Sequence, residues 1–348
     1  MAPTIKSVRV EPFTAVLKRP FVTALGRKTV SPNVGVILTL SDGAAGYGEA
    51  SASLALKHLS QGALAKALHG AAAWARGRNA SCPGLLIEEI WRRLEGANPA
   101  AAAFEAALLS ACARSRGLPL RALFGGGIGG GGLELESDIT ISACGPKETM
   151  EAARRSAAEG FCIFKVKVGG RLQDDLERVR LVRRARPGAR IRLDGNQGLT
   201  PTGALRLVEA CLRDGPVELL EQPLAKGQWR PLPALSRRCP VPIALDESVS
   251  SPEDAVRAAE LGACGAINVK AAKSGLLRSL SIIAVARAAG LKLMIGCMAE
   301  TAAGLSASVA LALGTQAFDF IDLDSDHLLL STRPARDWSR RGPKIAAR

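Results

Sequence analysis

Phe164-Lys165-Val166-Lys167, Leu193-Asp194-Gly195-Asn196 and Leu220-Glu221-Gln222-Pro223 are three β-rich runs that each end in charge. Stretches rich in Ala, Leu and Arg, with helical periodicity, lie between them. A strand covered on both faces of a parallel sheet should be apolar along its length, so charge at its carboxyl end calls for a reason. Outward in both directions the pattern recurs: 133–141, 162–168, 190–194, 218–221, 243–246, 266–270, 292–296 and 318–323 are β-rich, roughly 25 residues apart. Strand alternating with helix at that interval predicts parallel βαβ units, and eight of them predict a closed barrel over 133–325. Active sites form at the carboxyl ends of barrel strands. A single such residue reads as a helix cap; polar residues at the same end of six strands do not reduce to capping.

Residues 1–125 read differently. Alternating runs at 5–10, 16–18 and 34–40 lead to the turn Ser41-Asp42-Gly43 and a returning strand, Ala45-Gly46-Tyr47-Gly48-Glu49. From 60 to 117 the pattern is helical and Ala-rich, with Pro83 and Pro99 as breaks. Together these predict an α+β domain. The run from Gly125 to Gly132 is followed by no Lys-Ser/Thr and opens no helix, so it reads as a flexible connection rather than a phosphate loop. The tail, 326–348, is too short for another unit and is expected to return to the first domain. The expected fold is therefore α/β: a modified TIM (β/α) barrel with an α+β capping domain built from the N-terminal segment and the C-terminal tail.

Composition excludes several classes. Of the 348 residues 47% are apolar and 22% charged, as in a soluble globular protein. No apolar run approaches the roughly 20 residues of a membrane helix, and the N-terminus lacks a signal-peptide pattern, which predicts a cytoplasmic protein without membrane partners. The 8 cysteines are scattered with no CxxC pair, arguing for reduced thiols and against structural zinc. The net charge of +14 sits largely on arginines of presumptive outer helix faces, and with 1 Tyr no aromatic residues interleave with them. Nucleic acid is not the expected partner. Oligomeric state stays open.

Asp194, Glu221 and Asp246 are single carboxylates on three adjacent strands. Hard oxygen ligands with room for water suit Mg²⁺, whereas zinc would recruit His or Cys. Lys165 and Lys167 share a strand face by the two-residue period, and Lys270 comes from the sixth strand, across the barrel. An α-proton beside a carboxylate is very weakly acidic. A divalent cation on that carboxylate offsets the second negative charge of an enediolate, and a lysine near the cation and another ammonium is expected to have a lowered pKa. Re-protonation from the opposite face inverts the centre.

These residues resemble the enolase superfamily, specifically its muconate-lactonising-enzyme subgroup, over essentially the whole chain. The resemblance is carried by Gly46-Tyr47-Gly48-Glu49-Ala50, Lys165-Val166-Lys167, Asp194-Gly195-Asn196-Gln197, Glu221-Gln222-Pro223, Asp246-Glu247-Ser248, Asn268-Val269-Lys270 and Met294-Ile295-Gly296-Cys297-Met298-Ala299-Glu300. It implies Mg²⁺ on Asp194, Glu221 and Asp246, an acid/base pair of Lys167 and Lys270, and electrostatic support from Lys165. Asp322-Leu323-Asp324 looks like the DxD signature of dipeptide epimerases. Both carboxylates fall on one strand face, where they suit the ammonium of a dipeptide substrate. The resemblance also implies substrate contacts from Thr140, Cys297 and Met298, with Asn196, Glu247 and Glu300 behind the site. Arg27, in the loop from Pro20 to Arg27, is a candidate for a side-chain carboxylate, as in L-Ala-D/L-Glu or a related dipeptide. The alternative is an N-acylamino-acid racemase, an o-succinylbenzoate synthase or a muconate cycloisomerase on the same scaffold, whose substrates lack a free ammonium. Ser274-Gly275-Leu276, where the family usually has paired glycines, and the long glycine run depart from the pattern.

Overall fold

The computed structural model describes residues 2–54, 58–129 and 132–348. It opens on an antiparallel sheet of β1 (Ile5–Thr23), β2 (Gly26–Leu40) and β3 (Ala45–Ser51), in the order β1-β2-β3. The two alternating runs expected before residue 20 are one long strand. Its register against β2 shifts between Val16 and Phe21, and the hairpin closes with Val22 opposite Arg27 and Phe21 opposite Lys28. Three helices follow: α1 (Gln61–Ala75), α2 (Pro83–Arg93) and α3 (Asn98–Ser115). Pro83 and Pro99 lie in the first turns of α2 and α3, so they start helices, where a missing N–H costs nothing.

The almost wholly buried α3 lies against β3. Its fit explains the glycines of Gly46-Tyr47-Gly48: a Cβ at Gly46 would stand 2.0 Å from the Ala107 carbonyl oxygen, and one at Gly48 1.9 Å from that of Ala103. Gly130 and Gly131 of the glycine run lie outside the described residues.

Eight parallel strands then form the second domain: β5 (Ile139–Ile141), β6 (Ile163–Lys167), β7 (Arg190–Asp194), β8 (Val217–Glu221), β9 (Ile243–Leu245), β10 (Ala266–Val269), β11 (Lys292–Ile295) and β12 (Phe320–Ile321), neighbours in chain order. The Asp138 N–H donates to the Ile321 carbonyl at 3.1 Å, bringing first and last strands together. Leu219, Ala244, Ala266, Met294 and Phe320 form one apolar cluster across β8–β12. The fully buried Arg192 guanidinium lies 5.1 Å from the Phe320 ring centroid. Helices α4 (Pro146–Ala158), α5 (Leu172–Ala185), α6 (Pro201–Arg213), α7 (Leu232–Arg238), α8 (Pro252–Glu260), α9 (Ala271–Ser274), α10 (Leu276–Ala288) and α11 (Ala302–Thr315) fill the connections, and the short α12 (Ser325–Leu328) ends the barrel. No helix among the described residues is long and apolar enough to cross a membrane.

The expected first barrel strand is divided. Its front, β4 (Glu134–Glu136), pairs with the tail strand β14 (Lys344–Ala347), itself paired with β13 (Trp338–Arg341). The tail meets the cap earlier, where Leu329 bridges to Leu17 and Arg333 contacts Glu11 at 3.0 Å. Two buried glutamates of the first domain reach the barrel. Glu49 accepts from the Thr301 N–H (3.0 Å) and hydroxyl (2.6 Å) at the start of α11. Glu105 accepts from the Leu276 and Leu277 N–H groups (2.9 and 2.7 Å) in the first turn of α10, and from the Trp91 indole at 2.7 Å. A Cβ at Gly275 would stand 2.0 Å from Glu105 Oε2, and the residue has φ +71°, so this departure from paired glycines keeps the glycine the packing needs.

Candidate active site

A cavity of about 410 Å³ opens where the β1–β2 hairpin sits over the carboxyl ends of the strands. Ala24 at the hairpin tip rests on Gly169 and Gly198 of the barrel loops, where added Cβ atoms would lie 3.2 and 2.6 Å from the alanine methyl. Of the residues singled out in the sequence, Thr140, Lys165, Lys167, Asn196, Asp246, Glu247, Lys270, Cys297, Met298, Asp322 and Asp324 line this cavity.

Asp194 and Glu221 lie beneath it, bound to lysines. The Lys165 ammonium is 3.0 Å from Asp194, 2.7 Å from Glu221 and 2.6 Å from Asp322. Lys167 donates to Asp194 at 2.6 Å, and Lys270 to Asp246 at 2.7 Å. Burial disfavours the Asp194 anion, yet Lys165 and Lys167 outweigh it and hold the carboxyl at about 2. Glu221 goes the other way, pushed up to about 7 by burial and the neighbouring Asp194. Glu247 also rises to about 7, through burial and Asp246.

The donor set fits a hard divalent cation. Asp194 and Glu221 are paired at the ends of β7 and β8, and Asp246, just past β9, acts electrostatically on both, although the oxygens of the three do not all lie within 4.8 Å of one another. At the same mouth the buried Glu247 Oε2 and Asn196 Oδ1 have no hydrogen-bond partner.

Local chain geometry explains the motifs around these carboxylates. Asn196, Gln197 and Gln222 have positive φ (37°, 71° and 31°) where β7 and β8 end, the sort of strained backbone that collects at functional sites. The Gln222 side chain repays its strain by stitching β8 to β9: its oxygen accepts from the Asp246 N–H at 2.9 Å, and its amide donates to Ser248 Oγ at 2.8 Å. Asn268 donates to Glu221 at 2.8 Å. Gly296 leaves room for both Asn268 and Lys270, since a Cβ there would stand 2.8 Å from Asn268 Oδ1 and from Lys270 Cε.

In the eight-stranded order, β6 and β10 stand four strands apart, so Lys167 and Lys270 face each other across the barrel. The expected lowering of a lysine pKa is not found at Lys270. Burial lowers it, but Asp246 and Glu221 prevail and hold the proton on. Lys165, amid three carboxylates, is likewise raised well above the ordinary lysine value against its burial.

A second carboxylate group, distinct from the expected ligands, consists of Asp138, Asp322 and Asp324, whose oxygens lie within 4.8 Å of one another. Asp324 accepts from the Thr140 N–H at 2.7 Å. Burial, followed by Asp322, raises its pKa. Glu300 stands outside the cavity lining and accepts from the Met298 N–H at 3.1 Å; burial, then Glu49, pushes it up to about 8.

Arg27 is not at this site. It is exposed and lines a neighbouring cavity of about 540 Å³ with Arg155 and His327. The cause is the two-residue strand period: Phe21 and Lys28 are paired and turn to the active-site cavity, so Val22 and Arg27 turn away. Lys28 is the cation that sequence reasoning missed, and the period counted from Phe21 would have found it. Burial, then repulsion from Lys167, lowers its pKa to about 8. Lys273 was also missed. Its buried ammonium holds Asp246 Oδ1 at 2.7 Å and the Val249 carbonyl at 3.0 Å, and its only signal was i,i+3 spacing from Lys270. His58 lines the cavity as well.

Residues 5–125 match the N-terminal domain of the mandelate racemase / muconate lactonizing enzyme family, and residues 148–341 match the enolase C-terminal domain-like family. An aromatic dipeptide epimerase from Herpetosiphon aurantiacus is 35% identical, over 93% of this chain and 91% of its own. The substrate-liganded structure of the L-Ala-D/L-Glu epimerase from Bacillus subtilis superposes with a TM-score of 0.93 at 29% identity, covering 99% of this chain and 96% of that one. The dipeptide epimerase from Enterococcus faecalis V583, complexed with Mg and L-Leu-L-Tyr, gives a TM-score of 0.90 at 28% identity, covering 99% and 97%.

Proposed function

The chain belongs to the mandelate racemase / muconate lactonizing enzyme family of the enolase superfamily, and we propose that it is a Mg²⁺-dependent isomerase that inverts the α-carbon of the C-terminal residue of a dipeptide. Asp194, Glu221 and Asp246 would hold the ion, with the unpartnered oxygens of Glu247 and Asn196 at the same mouth as further donors. When bound, it supplies positive charge against the substrate carboxylate as the α-proton leaves.

Lys167 and Lys270 work from opposite walls. One removes the proton from one face of Cα and the other delivers a proton to the opposite face, which inverts the centre. Lys165, kept charged by its carboxylates, is a fixed positive charge beside the reacting end. Asp322 and Asp324 take the N-terminal ammonium. Lys28 faces the cavity as a cation, supporting an acidic C-terminal side chain and so a substrate of the L-Ala-D/L-Glu kind.

The observation that carries this reading is the pair of buried carboxylates, Asp322 and Asp324, opening onto the same cavity as the two lysines. An N-acyl amino acid, having no ammonium, would bring no positive charge to this pair. The test is a dipeptide library incubated in D₂O with Mg²⁺ and read by mass. Free dipeptides should gain one α-deuteron with inversion at the C-terminal residue. Labelling of N-acetyl or N-succinyl amino acids in preference to free dipeptides would overturn the reading in favour of an acylamino-acid racemase.

A further inference from the structure

Asp138, immediately before β5, is fully buried. Its Oδ2 accepts from Arg192 Nη1 at 2.7 Å, while its Oδ1 has no hydrogen-bond partner. Around it stand Asp322 and Asp324 from the end of β12, Lys165 from β6 and Arg192 from β7. The cations do not match the carboxylates. Lys165 is shared with Asp194 and Glu221, and the Nε of Arg192 is engaged by Glu218 of β8 at 2.8 Å. Three like charges this close in a buried site do not all ionise, so the group retains a proton.

We infer that Asp138 is a third carboxylate of the ammonium site, holding a proton when no substrate is bound and releasing it to solvent when a dipeptide's ammonium settles between Asp322 and Asp324. The inference rests on the dipeptide reading. Asp324 accepts from a backbone N–H and Asp322 from Lys165, and both contacts favour the anion. Arg192 favours the Asp138 anion through Oδ2, but of the three residues Asp138 is the one whose buried oxygen, Oδ1, lacks a partner, and the proton is placed there. Burial, followed by Asp322, raises the Asp138 carboxyl well above the carboxylate range despite Arg192. The exchange balances: the amine keeps its three protons, the Asp138 carboxyl loses one to buffer, and the added positive charge of the ammonium is met by the new carboxylate. Asp138 is thus a positioning residue acting through Asp322 and Asp324, beyond its bracing of the β5–β12 seam.

The test is calorimetric. L-Ala-Gly is the probe, because its C-terminal residue is achiral and binding is not followed by net reaction. It is titrated into the Mg²⁺-loaded enzyme at about pH 6.5, where an α-amino group with a pKa of about 7.7–8.0 is already protonated. Two buffers of different ionisation enthalpy are compared. The expected result is an enthalpy that shifts between buffers by the equivalent of about one released proton. In Asp138→Asn, L-Ala-Gly should still bind and the shift should vanish. A wild-type enthalpy independent of buffer overturns the inference whether or not the variant folds, and so does a shift that persists unchanged in Asp138→Asn. Absence of any binding heat, with no dipeptide labelled in D₂O, would bring down the dipeptide reading itself. Labelling without a buffer effect would bring down only the role of Asp138.

Discussion

Replacing Lys28 by Met keeps the aliphatic stem against Phe21, whose ring centroid lies 5.9 Å from the ammonium, and removes only the charge. A hydrogen bond to a charged partner contributes about 1.5–3 kcal/mol, so kcat/KM for L-Ala-L-Glu should fall roughly 10- to 100-fold, while that for L-Ala-L-Leu changes little. The pH dependence is a sharper measure. Burial and Lys167 bring the Lys28 pKa down from 10.5 to about 8, and kcat/KM reports the free enzyme. The cation is present below that value and lost as pH rises through it. The preference for L-Ala-L-Glu over L-Ala-L-Leu should therefore be full at neutral pH and decline above about pH 8, by up to tenfold per unit. Dipeptide ammonium groups titrate nearby, but they do so alike in both substrates and cancel in the ratio. Initial rates by polarimetry or chiral chromatography give that ratio for wild type and Lys28→Met. A wild-type ratio that is flat across this range, or a variant that loses equally on both substrates, refutes the assignment.

Chelation by EDTA should abolish epimerisation and Mg²⁺ should restore it; Glu221→Gln should cut turnover while circular dichroism shows the fold retained. Lys270→Ala should lose inversion but still exchange deuterium into one epimer through Lys167, as NMR of each isolated epimer would reveal; equal residual inversion in Lys167→Ala and Lys270→Ala would contradict the two-base arrangement. Asp324→Asn should lower kcat/KM for a free-amine dipeptide by roughly 10²-fold, since it weakens a buried charge-assisted contact, and leave Mg²⁺ affinity nearly unchanged by calorimetry. Gly48→Ala should destabilise the protein by about 1–3 kcal/mol or more, because its methyl would stand 1.9 Å from the Ala103 carbonyl; an unchanged thermal midpoint would mean that α3 yields freely.

The barrel was legible because its strands combine apolar centres with charged carboxyl ends, a pattern that short-range periodicity exposes. The divided first strand was not, since apolar residues at 133, 135, 139 and 141 keep one alternation through the whole stretch and only the long-range pairing of Lys344–Ala347 separates its two parts. Arg27 was misplaced for a related reason. The shift between Val16 and Phe21 sets which face each hairpin residue takes, and no local signal marks it. Asp138 and Arg192 escaped notice because a charge before or within a strand reads as solvent-facing until its partner, here 54 positions away, is known. The lysines and carboxylates of the mouth needed no such knowledge to be placed there, as each follows its own strand.

Glu49 and Glu105 constrain how a substrate can enter. Each carboxyl from the first domain accepts from the otherwise open N–H groups at the start of a barrel helix. Swinging the whole cap away would strip α10 and α11 of these partners together. Access is then expected at the hairpin tip, where Ala24 meets Gly169 and Gly198 of the barrel loops. If the cap stays in place while the hairpin tip opens, amide exchange at Leu276, Leu277 and Thr301 should stay as slow during turnover as at rest.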